Sequence, residues 1–414
     1  MSVFRGTVPA IILLASFCRA DSGLDLFERN AARAKQLGAT HVLITEDLPP
    51  ALWEMDVPGD PYPAWYMYHP GLLKIFPPAV LEKYEDRAYA EKIAALFQAR
   101  CGVLRKLGLK AAYGANEPHV LPEAFFTDHP DLRGPRVDHA NRSRTPRFAP
   151  CVDRPETLAL YREALQKLLK RLPEVDLFLF TTTDAGSGLC WTPALYPGLN
   201  GPSWCRKRAM EDRVAGFLGA LNDAALQSGR KIGVDLVEIA PRSWMLPTFD
   251  HPESIARRLP AGMAVDHLEG PDAKRVAIRR FGGGNGEFAP VVGVPRPVAA
   301  MRGLVAGGGP AAGVKFVVSV ADAESADLNF RVLEEFEKAK PRNEADVWGA
   351  VRDLAGQMDR AHAEDLIALW TGTDDAERYL FQAKGEEQAA DLVDIQAMHL
   401  YMNPGLLRKL LKTE

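Results

Sequence analysis

Asp184 in FTTTDAGSGLCW (180–191) and Glu238 in VDLVEIAPRSW (234–244) are acids that each end an apolar, β-branched run. An acid in that position either caps the next turn or carries a proton at the mouth of a rigid strand. Two such carboxylates facing each other can protonate a leaving oxygen and activate water or attack an acetal carbon, the chemistry that cleaves a glycosidic bond. The bland reading of Asp184 is a turn residue, and that of Glu238 is a salt bridge to Arg242. A third acid, Glu117, stands in GANEPH (114–119) as Asn116-Glu117-Pro118 with His119 beyond it. It is a candidate acid or substrate contact, with Asn116 and His119 as neighbouring contacts. Asp266 and His267 in DHLEG (266–270) are further substrate-binding candidates, although a lone His is more often a hydrogen-bonded structural residue.

Aromatic and basic residues crowd the same loops. Sugar rings stack their C–H faces on aromatic rings. Trp53, Trp65, Tyr66 and Tyr68 follow one strand candidate, Trp191, Tyr196 and Trp204 follow Asp184, and Trp244 follows Glu238. Long loops also use aromatics as anchors. HPDLRGPRVDHANRSRTPRF (129–148) carries Arg133, Arg136, Arg142, Arg144 and Arg147 with His139 among them, and Arg206, Arg208, Arg242 and Arg296 lie in other presumed rim loops. Planar guanidinium groups grip carboxylates bidentately, so this set suits an acidic sugar. The alternative is ion pairing within the loop, to Asp131, Asp138 or Asp153.

The elements that must position these residues alternate along the chain. Strand candidates are residues 10–16, 41–45, 109–114, 176–183, 231–239, 262–268, 288–294 and 313–320. Between them lie amphipathic helices. Leu158, Tyr161, Leu165, Leu168 and Leu172 share one face of a helix whose start carries Asp153 as N-cap, Pro155 and Glu156. Met210, Val214, Phe217, Leu218 and Leu221 form the stripe of another, closed by Gly229. Eight strand–helix units predict an α/β fold, a (β/α)₈ TIM barrel over residues 1–342, with its site on the loops after the strands. The competing doubly wound sheet lacks a GxGxxG or P-loop turn. From Asn343 the pattern turns all-helical, predicting a helical C-terminal region over 343–414.

A chain of 414 residues with 47% hydrophobic residues can bury a large core, and its formal net charge of −4 gives no general pull toward nucleic acid. No apolar run approaches the roughly 20 residues of a bilayer span. The five cysteines show no CxxC pair, so a zinc site or disulfide framework is not expected, with a Cys190–Cys205 bridge left open. MSVFRGTVPAIILLASFCRA reads either as a secretory signal or as the first barrel strand. Completing the strand count favours the strand and a cytoplasmic protein. The signal reading would make it secreted or periplasmic.

LPEAFFTDHPDLRG (121–134), CVDRPETLALYREAL (151–165) and VDLFLFTTTDAGSG (175–188) resemble, in order and texture, segments of the barrel glycoside hydrolases that include α-glucuronidases and β-hexosaminidases. The likeness departs where hexosaminidases carry adjacent Asp-Glu: here Ala185 follows Asp184, so it does not extend to a substrate-assisted mechanism on N-acetyl sugars. The resulting expectation is an exo-acting glycoside hydrolase that removes a terminal uronic or sialic acid. It would use Asp184, Glu238 and Glu117 and need no cofactor or metal. Its partner would be a saccharide rather than nucleic acid or membrane, with a homodimer left open. The alternative is a sugar isomerase or epimerase holding Mn²⁺ or Mg²⁺ on Glu238, Asp266, His267 and Asp322. A third reading is a barrel that only binds saccharide.

Overall fold

The structure, a computed structural model, describes residues 23–45, 70–137, 145–182, 188–189, 208–238, 252–272, 274–275, 278–282, 297–306, 315–319 and 324–384. Its main sheet has nine strands: β1 (His41–Leu43), β2 (Lys110–Asn116), β5 (Val175–Thr181), β6 (Gly233–Glu238), β7 (Met263–Val265), β8 (Leu268–Glu269), β9 (Lys274–Arg275), β10 (Ile278–Gly282) and β11 (Lys315–Ser319). A separate antiparallel ribbon joins β3 (Arg133–Arg136) to β4 (Phe148–Pro150). The order across the main sheet is β10-β11-β1-β2-β5-β6-β7-β8-β9. All its pairings are parallel except β7–β8 and β8–β9.

β1, β2, β5, β6 and β7 stand side by side in chain order, and β11 wraps round to pair with β1. A doubly wound sheet would reverse direction at a switch point instead. Among the described strands the sheet is nevertheless open, because nothing joins β9 to β10. Direct β11–β1 pairing also takes the place in which a first strand at 10–16 was expected to sit. Residues 10–16 and 288–294 lie outside the described residues. Two further expectations need correction. The run 262–268 is not one strand: it breaks at Asp266–His267, and β8 turns back antiparallel on β7. IRRFG, read as no strand, forms β10, because five residues pair in register with β11.

The helices are α1 (Gly23–Gln36), α2 (Leu72–Ile75), α3 (Arg87–Leu107), α4 (Glu123–Asp128), α5 (Pro155–Arg171), α6 (Met210–Gln227), α7 (Pro252–Ala256), α8 (Pro297–Ala306), α9 (Glu324–Ala339), α10 (Glu344–Met358) and α11 (Ala363–Lys384). α3 shows why such segments start and stop where they do. The Asp86 carboxylate accepts from the Ala88 and Tyr89 amides, and Gly108 closes the helix at φ 67°. α5 and α6 bury the stripes read from the sequence, except that Leu158 and Met210 are only partly buried. The N-cap of α5 is Arg154 rather than Asp153, and Asp153 is spent on a distant arginine described below. Among the described residues no helix is long and apolar enough to cross a membrane.

Alternation along the strands sorts their side chains into two faces. Val42, Ala111, Tyr113, Ala115, Phe178, Phe180, Val234 and Leu236 join the core built with α1, α3, α5 and α6. Leu43, Ala112, Leu177 and Leu179 form a separate small cluster on the opposite, inner face. A sheet buried on both sides needs the near-continuous apolar strands seen here. α8, α9, α10 and α11 share a further core around Trp370, which is 2% exposed. Trp370→Ala removes the largest side chain of that core. Chemical unfolding should show a loss of about 3–5 kcal/mol in the stability of this helical layer.

Candidate functional site

Parallel register brings several sequence candidates to one edge. Thr181, at the end of β5, is the register partner of Asn116 on β2 and of Glu238 on β6. The Glu117 amide donates to the Thr181 carbonyl at 2.8 Å. One layer down, Gly114, Leu179, Asp235 and Ala264 stand in register across four strands. The inner face therefore has an apolar floor and becomes polar toward the carboxyl ends of its strands. Asp184 follows Thr181 at the third position and lies outside the described residues, as does the side chain of Glu238. His139, Arg144, Trp191, Arg242 and Trp244 also lie outside them.

Glu117 is wholly buried. Its carboxylate accepts from the Leu72 amide at 2.6 Å, the His119 amide at 2.9 Å and the Tyr161 hydroxyl at 2.9 Å. Those donors belong to α2, the segment after β2 and α5. Loss of hydration raises the carboxyl from 4.5 to about 7, against the lowering pull of all three donors. Burial, and secondarily the nearby Glu117 carboxylate, likewise pushes the Tyr113 and Tyr161 phenols well up. His119 is equally buried, and a Cβ at Gly71 would overlap its ring. Glu117 was expected to act as an acid or touch substrate, and His119 to bind it. Neither has the surface for direct contact in this geometry; Glu117 fastens the ends of three elements.

The loop that carries Asp184 is anchored at both described ends. Thr181 holds Glu117 as above, and Gly188, at φ 69°, packs so tightly on Pro118 that a Cβ would come within 2.9 Å of the Pro118 carbonyl. Next to it, the Leu189 carbonyl accepts from Arg213 Nη1 at 2.8 Å. Arg213 also donates to Asp153 at 2.9 Å, and Arg208 pairs with that carboxylate from the other side at 3.3 Å. Asp153 and Arg213 thus form a buried strut between α6 and the start of α5 that reaches the Asp184 loop.

Asn116 is 5% exposed, and its Nδ2 has no hydrogen-bond partner. An orphaned buried donor costs about 1–3 kcal/mol unless a ligand or water takes it. Across the sheet, the wholly buried Asp235 accepts from His267 Nδ1 at 2.6 Å and the His267 amide at 3.2 Å. The Asp266 amide donates to the Leu236 carbonyl. Asp235, Tyr161 and Arg213 were missed as supporting groups, while Asp153, offered as an ion-pair partner for the arginines, does pair with Arg208 and with Arg213. Asp235 alone left a legible trace, as a charge inside an apolar strand. Arg133, expected on substrate, gives its guanidinium to both oxygens of Glu123 and lies over Phe126 and Phe148. It holds the β3–β4 ribbon to α4. Arg136 ends β3 partly exposed. Among the described residues no cluster of three or more His, Cys, Asp or Glu side chains could hold a metal ion.

No family model matches the chain, and no curated protein sequence matches it. Among solved structures it is similar to two of the pneumococcal protein StrH. One concerns its inhibition and N-glycan recognition and hydrolysis (10% identity, 84% of this chain and 94% of that one, TM-score 0.38). The other concerns the tandem catalytic modules of this exo-β-D-N-acetylglucosaminidase (11%, 84% and 94%, 0.39). A third is a cycloalternan-degrading enzyme from Trueperella pyogenes in complex with isomaltose (12%, 84% and 48%, 0.33). Likenesses this distant carry no argument about the chain's activity.

Two predictions follow from the anchoring. A carboxyl whose pKa is higher folded than unfolded contributes stability below the unfolded value and loses it as pH rises through the folded value. Stability should therefore fall by on the order of 3 kcal/mol between about pH 4.5 and 7, and Glu117→Gln should flatten that slope in urea titrations. Gly188→Ala should push the backbone at Gly188–Leu189 away from Pro118. Hydrogen exchange at the Leu189 and Arg213 contact should speed up, while the melting temperature moves by only a few degrees, as about 1 kcal/mol of local strain allows.

Proposed function

We propose that the protein is a glycoside hydrolase whose site is the carboxyl edge of β2, β5 and β6. One observation carries the reading: three adjacent parallel strands end in register at Asn116, Thr181 and Glu238, with Asp184 three residues past Thr181. Neighbouring strands whose ends stand level bring the segments that carry two acids from different backbones to one edge of the sheet, which suits opposed-carboxylate chemistry. In this reading Asp184 gives its proton to the leaving oxygen as the glycosidic C–O bond breaks. Glu238 takes a proton from the attacking water or attacks the anomeric carbon itself. Glu117 keeps the rim in register from beneath.

The wrap-around strand order supports a barrel with its seam between β9 and β10, and residues 343–414 as a helical region added to it. An acidic terminal sugar is the substrate we infer. That inference rests on Arg136, Arg142, Arg144 and Arg242, since Arg133 is engaged by Glu123. The isomerase alternative needs a divalent ion, so exhaustive EDTA treatment separates the two: hydrolysis of an aryl glycoside should survive it. Aryl glucuronides and sialosides should react faster than glucosides and galactosides, and the reverse order removes the acidic-sugar inference.

Asp184→Asn should keep the melting temperature and lower kcat by about a thousandfold, within the 10²–10⁴ that general acid catalysis contributes. Substrates with activated leaving groups should suffer least. Unfolding of Asp184→Asn with full activity in the folded fraction would make the residue a turn cap and end this reading.

A further inference from the structure

Glu117 meets its three donors unevenly. Oε1 accepts from the Leu72 amide at 2.6 Å, while Oε2 accepts from both the His119 amide and the Tyr161 hydroxyl, each at 2.9 Å. The same His119 amide lies 3.1 Å from the Tyr161 oxygen. An amide N–H can only donate, whereas a hydroxyl both donates and accepts. Of these three partners, Tyr161 is therefore the one that can take a hydrogen from a protonated Glu117. Its ring is held in place, wholly buried and edge-on to Phe217 of α6 at 4.9 Å. Rotation about the C–O bond is the response left to it. The titratable groups facing the carboxylate are Tyr161 from α5, Tyr113 from β2 and His119 just beyond β2. Tyr113 gives its hydroxyl to the Pro70 carbonyl at 2.6 Å, the His119 ring packs on Gly71, and Lys74 of α2 lies over the Tyr89 ring. Burial raises the Glu117 carboxyl to about 7, so both of its states are populated near neutral pH.

We propose that Glu117 and Tyr161 form a proton-operated switch: one proton taken up by Oε2 reverses their hydrogen bond, making Tyr161 the acceptor, and passes the His119 amide from the carboxylate to the Tyr161 oxygen. Leu72 keeps its bond to Oε1 in both states, so α2 stays tied while residues 117–119 adjust. Pro118 lies inside that segment and packs on Gly188, so the effect of the proton reaches the backbone at Gly188. The switch holds whatever the carboxyl edge of the sheet binds.

The test uses the full chain with ¹³C at glutamate Cδ and tyrosine Cζ and ¹⁵N throughout, followed by NMR from about pH 5 to 9. Burial pushes the Tyr161 phenol well above its usual 10, so its own ionisation stays outside that range. The Glu117 Cδ and Tyr161 Cζ resonances should titrate together with one midpoint at about 7, and the His119 and Gly188 amide signals should move with them. Glu117→Gln imitates the protonated state, because its carboxamide accepts from Leu72 and donates to Tyr161. In that variant the Tyr161 Cζ signal should stay at its acid-limit position at every pH. A Tyr161 signal that still titrates there reports a proton on the His119 ring and overturns the proposal. A Glu117 Cδ signal that stays flat over the range overturns it, as does one that titrates while Tyr161 Cζ stays still. Where Glu117→Gln fails to fold, the two wild-type signals decide alone.

Discussion

A carboxylate that loses all its water can stay in a core only if other donors replace that water or a proton neutralises it. Glu117 does the first and is poised near the second. Its three donors come from α2, the segment after β2 and α5, so one side chain fixes where three elements end. Pro118 is carried into place by the same knot, and Gly188 has no side chain because Pro118 occupies the space. The positions of Thr181 and Gly188, on either side of Asp184 in sequence, follow. Cutting any one donor would leave a buried charge under-solvated, a larger penalty than the hydrogen bond's own net worth. That asymmetry makes the arrangement brittle in composition and rigid in geometry.

On the inner face an apolar layer separates two polar ones, with His41 and Lys110 on Asp176 at the amino ends of the strands and Asp235 and Asn116 toward the carboxyl ends. Leu43, Ala112 and Leu177 form the middle layer, with Leu179 above them level with Asp235. Asp235 enters one layer below the rim, and Asn116 stands level with Glu238 at the top. An apolar floor excludes water from beneath and lowers the local dielectric, so each polar group above it acts more strongly on a ligand. The helix-covered face needs no such layering and is apolar throughout the strand centres.

Legibility in the sequence followed the range of the interaction. The stripes of α5 and α6 could be read because a 3.6-residue period is local. Asp153 was misread as an N-cap: Asp, Pro and Glu at those spacings mimic a local signal, while its real partner Arg213 is 60 residues away. The break at Asp266–His267 was hidden because Leu268 restores an apolar residue after two polar ones, and only the backbone shows the reversal. β10 was invisible because IRRFG carries two arginines and owes its strand to β11. Asn116-Glu117-Pro118 looked like an exposed catalytic signature, since burial depends on Leu72 and Tyr161, neither nearby in sequence.

The ion pair of Asp153 with Arg213 shows what such long-range contacts are for. Two charges buried together recover little net stability, because desolvation offsets most of their attraction, and well-packed apolar residues would serve as well or better. An apolar pair, however, would leave the Leu189 carbonyl without the donor it takes from Arg213 Nη1. It would also leave Arg208 without its anchor on Asp153. A guanidinium can hold a carboxylate and a carbonyl at once in one plane, which fixes the direction of a loop as well as its distance. The strut is therefore better explained by the Leu189 backbone it holds in place than by the fold it stabilises.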